Sequence, residues 1–184
     1  MILQNYQKIQ KKMQLRIAKE IAAQLQAELQ PFCERISIVG SVRRNKPEPR
    51  DIELLFIPKK VIVGQLALFN APVKMQSMQE LVQIVDRYHK IKGDVLTGKY
   101  AQRLLPNGIK VDFFTAAKNS WGYQKLIRTG SSEFSRKVAR RWVQLGFKGD
   151  DGYLTKDGSI IPVKEEEELF ELLKLKYVEP AKRV

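Results

Sequence analysis

The chain has 184 residues, 43% of them apolar, which suffices for one compact domain or two small lobes with a core. It carries 33 Lys and Arg against 20 Asp and Glu, and the formal charge of +13 favours a polyanionic partner, nucleic acid first, because phosphate contacts are mainly electrostatic. Cys33 is the only cysteine and His89 the only histidine, which excludes disulfide frameworks, Cys/His zinc sites and Ser-His-Asp chemistry, so catalysis would rest on carboxylates, hydroxyls or metals.

Cys33 reads as a small buried hydrophobe and His89 as a helix-surface residue. No apolar signal core and no run of roughly 18 apolar residues is visible, so no membrane partner and a reducing, cytoplasmic setting are expected.

In chain order, Ile9, Met13, Ile17, Ile21, Leu25 and Leu29 recur every fourth residue and predict an amphipathic helix over 6–29, closed by Pro31. Ile36 to Val39 predicts a strand running into Gly40-Ser41, and Asp51 to Ile57 a second strand stopped by Pro58. Residues 61–76 lack a clean period. Ser77 with Glu80 is a capping-box pattern ahead of a helix to about Lys90. Lys99 to Leu105 and Ile109 to Phe114 predict a hairpin around Pro106-Asn107-Gly108. A helix through Phe134, Val138, Trp142 and Leu145 ends at Gly146, a hairpin turns at Asp157-Gly158, and Glu165 to Glu168 open a last helix.

Strand alternation puts Asp51 and Glu53 on one side and Ile52, Leu54 and Phe56 on the other. Like charges this close raise each other's pKa unless a cation neutralises them. Asp112 sits in a second strand of the same pattern, and an adjacent place in the sheet would add a third carboxylate, a donor set suited to magnesium. Upstream, Gly40-Ser41-Val42-Arg43-Arg44 offers close backbone approach, a hydroxyl and two guanidinium groups for a triphosphate. Alone, each piece reads as well as a solvent-facing edge or a loop. Together they describe two-metal phosphoryl or nucleotidyl transfer, with ions roughly 3.5–4 Å apart.

The Gly-Ser-Val-Arg-Arg turn followed by Asp51-Ile52-Glu53-Leu54-Leu55 resembles the signature of the DNA polymerase X (polymerase beta-like) family. Val111-Asp112-Phe113-Phe114 resembles its third-carboxylate strand, Thr129-Gly130-Ser131 the turn beneath the nucleotide, and residues 176–183 its carboxyl-terminal ending. The resemblance implies an α+β fold: a nucleotidyltransferase-type palm of mixed sheet and flanking helices over 1–116, then a small α/β nucleotide-selecting lobe over 117–184. It implies a monomeric, template-directed DNA polymerase that adds deoxynucleotides to a primer 3′-hydroxyl and fills short gaps in repair, with primer-template or gapped DNA and nucleoside triphosphates as partners. Asp51 and Glu53 would bridge two Mg2+ ions, with Mn2+ able to substitute, and Asp112 would bind the catalytic ion.

By the same resemblance Gly40, Ser41, Arg44, Arg50, Ile127, Thr129, Gly130 and Ser131 would hold the nucleotide, with Arg43 structural, and Arg128, Arg136, Lys137, Arg140 and Arg141 the template phosphates. The chain departs from the family pattern at Glu53, where Asp is usual, at Ile127-Arg128, where an aromatic pair is usual, and at Arg50, where glycine is frequent. It looks like the compact viral members that lack a lyase domain, which would place it in the cytoplasm or a viral factory. The competing expectations are a nucleotidyltransferase acting without template on an RNA end or small molecule, and a non-enzymatic nucleic-acid-binding module.

Overall fold

Seven residues of mostly high strand propensity, Cys33–Val39, form β1, which enters the larger of two sheets. The computed structural model describes residues 13–59, 76–94 and 98–183. Helix α1 spans Leu15–Leu29, and the start of its expected range, with residues 61–75, lies outside the described residues. Its buried stripe is Ala18, Ala22, Leu25 and Leu29, while Ile17 is 38% exposed. A strict spacing of four drifts about 40° per step around a helix, so the row of isoleucines winds off the core and alanines replace it.

After β1 the chain makes a four-residue helical turn, α2 (Gly40–Arg43), then β2 (Asp51–Pro58), α3 (Gln76–Asp86), β3 (His89–Gly93), β4 (Tyr100–Leu104) and β5 (Lys110–Thr115). The five strands lie in the order β1-β2-β5-β4-β3, with β2 and β5 parallel and the other pairs antiparallel. The loop before Asp51 is tied to the start of α1 by Met13 N–H donating to Pro49 O and Leu15 N–H to Pro47 O, at 3.1 and 3.0 Å.

Strand β3 corrects the expectation of a helix to about Lys90: α3 stops at Asp86, and His89 opens a strand whose five residues are all exposed. His-Lys-Ile-Lys-Gly has no fully buried side chain and so shows no apolar alternation, and lysines on a sheet edge discourage unwanted pairing.

The sheet is covered on both faces. Ile52, Leu54 and Phe56 of β2 join Val111 and Phe113 of β5 beneath α1 and α3. On the other face Leu55, Ile57, Val39 and Phe114 pack against Trp121, the first residue of α4 (Trp121–Thr129). Burying a side chain of this size contributes about 1.5–3 kcal/mol.

Helix α4 leads to α5 (Ser132–Gln144), a three-stranded antiparallel sheet of β6 (Lys148–Asp150), β7 (Tyr153–Lys156) and β8 (Ser159–Ile161), and α6 (Glu166–Leu172). Leu126, Val138, Trp142, Leu154, Leu169 and Phe170 form the core here. Gly122 permits the close crossing of α4 and α6, since a Cβ there would sit 2.1 Å from Glu165 O. Arg35 of β1 fastens this part to the larger sheet: it lies 4.5 Å from the Trp121 ring centroid and grips Glu165 through two bonds of 2.7 and 3.0 Å. The structure is thus mixed α+β, a mixed sheet with flanking helices followed by a smaller α/β part. Among the described residues no helix is long and apolar enough to cross a membrane.

Candidate active site

Parallel pairing of β2 with β5 sets Glu53 directly beside Asp112 and Asp51 beside Lys110. Successive outward positions of β2 hold Asp51 and Glu53, so the structure brings all three acids to one face, next to the α2 turn. Burial first, and then the neighbouring Asp112, raises the pKa of Asp51. Burial raises that of Asp112 against the opposing bonds from Tyr100 and Gln102. Burial, with Asp51 and Asp112, pushes Glu53 up to about 8.

The three side chains do not share one focus. Among the described residues no group of three or more His, Cys, Asp and Glu side chains is arranged to hold a metal ion. Glu53 is turned into the α2 turn, where Gly40, at φ +65°, lets it in: a Cβ on Gly40 would stand 1.3 Å from Glu53 Oε2. The Ser41 backbone N–H donates to the same carboxyl. The methylene by which Glu exceeds Asp provides this reach. Asp112 Oδ1 accepts from Tyr100 Oη at 2.9 Å and from Gln102 Nε2 at 2.7 Å. The all-oxygen, mutually repelling donor set fits a hard divalent cation, with Glu53 having to leave Gly40 before a third oxygen is offered.

Glu53 makes stability depend on pH. Its folded pKa lies above the ordinary 4.5, so the folded state holds the proton more tightly, and stability is full below about 4.5 and declines as pH rises towards 8. Without divalent metal, the melting temperature is expected to fall from pH 6 to 8.5. Glu53→Gln should flatten that slope, and an equally steep slope in the variant would refute the assignment.

A cleft of about 410 Å³ opens beside the acids, lined by Ser41, Arg44, Arg50, Ile127, Arg128 and Gly130 among others. Ser41 Oγ is buried with no hydrogen-bond partner, a vacancy that suits a ligand oxygen. Arg44 Nη1 donates to the carbonyls of Thr129 and of Gly130, the latter at 3.0 Å, at the end of α4. Ser131 caps α5 by accepting from Phe134 N–H at 3.0 Å. Thr129 is fully buried and its hydroxyl accepts from Arg43 Nη1 at 2.6 Å.

The basic residues separate into groups. Arg136, Lys137 and Arg140 are exposed on α5, Arg141 is half-buried with its Nε donating to Leu173 O at 3.0 Å, and Arg128 lies in the cleft.

Two groups around the site escaped sequence reasoning. Tyr100 and Gln102 were legible in principle, since the hairpin closed by Leu105 N–H to Ile109 O, 2.9 Å, sets Gln102 opposite Asp112. The second is a buried ion network. Arg43 grips Glu166 through bonds of 3.1 and 2.7 Å, and Arg183 Nη1 donates to Glu166 Oε1 at 2.5 Å. Glu166 and Arg183 are each 1% exposed, and Phe134, Phe170 and Tyr177 surround the Arg183 guanidinium. Nothing local in the sequence announces a partnership across 123 residues.

Beyond the acids, residues 125–184 match the family model for the DNA polymerase beta thumb. The chain is also 31% identical over 99 residues to DNA polymerase IV of Saccharomyces cerevisiae (strain ATCC 204508 / S288c), a stretch covering 54% of this chain and 16% of that protein. The chain therefore spans only a small part of the curated relative it matches. Both matches liken the chain to DNA polymerases, the first through the polymerase beta thumb and the second through part of DNA polymerase IV.

Proposed function

We propose that the chain is a template-directed DNA polymerase that adds deoxynucleotides to a primer 3′-hydroxyl with release of pyrophosphate, acting on short gaps. The observation that carries this reading is the register of Glu53 against Asp112, with Asp51 on the same face, beside a turn whose Ser41 hydroxyl lacks a partner. The thumb match over 125–184 supports it. The palm over 1–116 and the selecting lobe over 117–184 are the division this reading uses.

Asp51, Glu53 and Asp112 would hold divalent cations, magnesium first, whose charge would acidify the 3′-hydroxyl and offset that of the phosphates. Tyr100 and Gln102 orient the Asp112 carboxylate. Ser41 donates its hydroxyl to the triphosphate, and Arg44, once free of the α4 carbonyls, spreads the charge of the leaving pyrophosphate over its guanidinium. Arg43 holds the turn against Thr129 and Glu166. The exposed α5 cations Arg136, Lys137 and Arg140 meet DNA phosphates in a salt-dependent way.

The test is extension of a labelled primer on a one-nucleotide gapped duplex with magnesium, beside the same primer as a free single strand. Templated addition on the gap is expected. Addition to the free strand alone would favour a transferase that works without template. A second reading, a binding module, draws on the turned-in Glu53, and duplex binding without addition under either magnesium or manganese would establish it instead.

A further inference from the structure

Arg128 stands in the last turn of α4 with its guanidinium carbon 4.1 Å from the centroid of the Phe114 ring. Its Nε is buried and meets no hydrogen-bond acceptor. Glu53, Tyr123, Asp112 and Tyr100 act on it through charge, while burial works against its ionised form. Arg44 feels Glu53 and Asp51 in the same way. Both guanidinium groups line the same cleft as Glu53 and Asp51.

They differ in what they hold. Arg44 is engaged with two backbone carbonyls, whereas Arg128 is steadied by an aromatic face and keeps a donor unfilled. A buried N–H without an acceptor is unfavourable, and a guanidinium that lines the cleft has donors to offer an anion there. A guanidinium has the fork geometry that phosphate oxygens accept.

Resting on the polymerase reading, we propose that Arg128 binds the incoming nucleoside triphosphate directly, donating to a phosphate oxygen in the cleft. It sets affinity for the nucleotide and leaves the duplex to the outer face of α5. This separates Arg128 from Arg136, Lys137 and Arg140, which share its charge and not its surroundings.

The test measures two affinities on the full chain. Calorimetry follows a deoxynucleoside triphosphate binding to protein loaded with magnesium and a gapped duplex whose primer ends in a dideoxynucleotide. Fluorescence anisotropy follows the duplex alone. Arg128→Gln and Arg128→Met, the latter keeping an aliphatic stem on Phe114, are expected to weaken nucleotide binding roughly tenfold or more and to change duplex affinity less than about twofold. Arg128→Lys should recover part of the loss, because charge remains and the fork does not. Arg136→Gln with Arg140→Gln should give the reverse pattern.

Nucleotide affinity within about twofold of the parent in folded Arg128→Gln and Arg128→Met, or a matching loss of duplex affinity, would overturn the assignment while leaving the polymerase reading intact. Failure of the parent protein to bind nucleotide would bring down both.

Discussion

Asp112→Asn is expected to abolish primer extension, lowering it by roughly 10³-fold or more, which is about 4 kcal/mol of transition-state stabilisation. The substitution keeps an oxygen that can accept from Tyr100 and Gln102 and removes only the charge. Because burial already holds the Asp112 pKa up and Asp112 in turn raises Asp51 and Glu53, the variant should melt at the same temperature or higher. Lost activity with retained or improved stability separates a chemical role from a structural one. Extension within about tenfold of the parent would remove Asp112 from the chemistry.

Glu166→Ala should have the opposite signature, with stability the first casualty. It leaves Arg43 and the fully buried Arg183 facing each other with no anion between them. Breaking a buried pair in this way costs about 3–5 kcal/mol. For a chain of this size that is roughly 6–20 °C in melting temperature. Arg183→Met should cost less, because Arg43 still holds Glu166. Burial alone would push the Glu166 carboxyl up, but bonds and charge from Arg43 and Arg183 together hold it below the ordinary 4.5. Its contribution is thus present above pH 4.5 and is lost as pH falls through the lower folded value. Glu166→Gln should therefore flatten the acid side of the stability curve, and an unchanged melting temperature in Glu166→Ala would show that the network does not bind the parts together.

Legibility followed from how local each cause is. The acids of β2 were readable because alternation is a two-residue rule, and Asp112 because Val-Asp-Phe-Phe obeys the same rule. The Asp157-Gly158 turn showed itself through residues that tolerate the left-handed region. Strand β3 was hidden because its neighbours in the sheet, not its own residues, make it a strand. Helix α4 was missed because all but three of its nine residues are buried, which blurs the one-faced periodicity that marks a surface helix. The orientation of Glu53 depends on an open space over Gly40, and the Glu166 network on contacts between distant segments, so neither leaves a local trace.

The parallel contact between β2 and β5 has a quantised character. Side chains on a strand have only two directions, so sliding β5 by a single residue against Asp51–Pro58 would send Asp112 inward among the leucines and bring Val111 or Phe113 out in its stead. No partly assembled arrangement exists between those registers. A one-residue insertion or deletion between Lys110 and Asp112 would accordingly erase the acidic triplet outright.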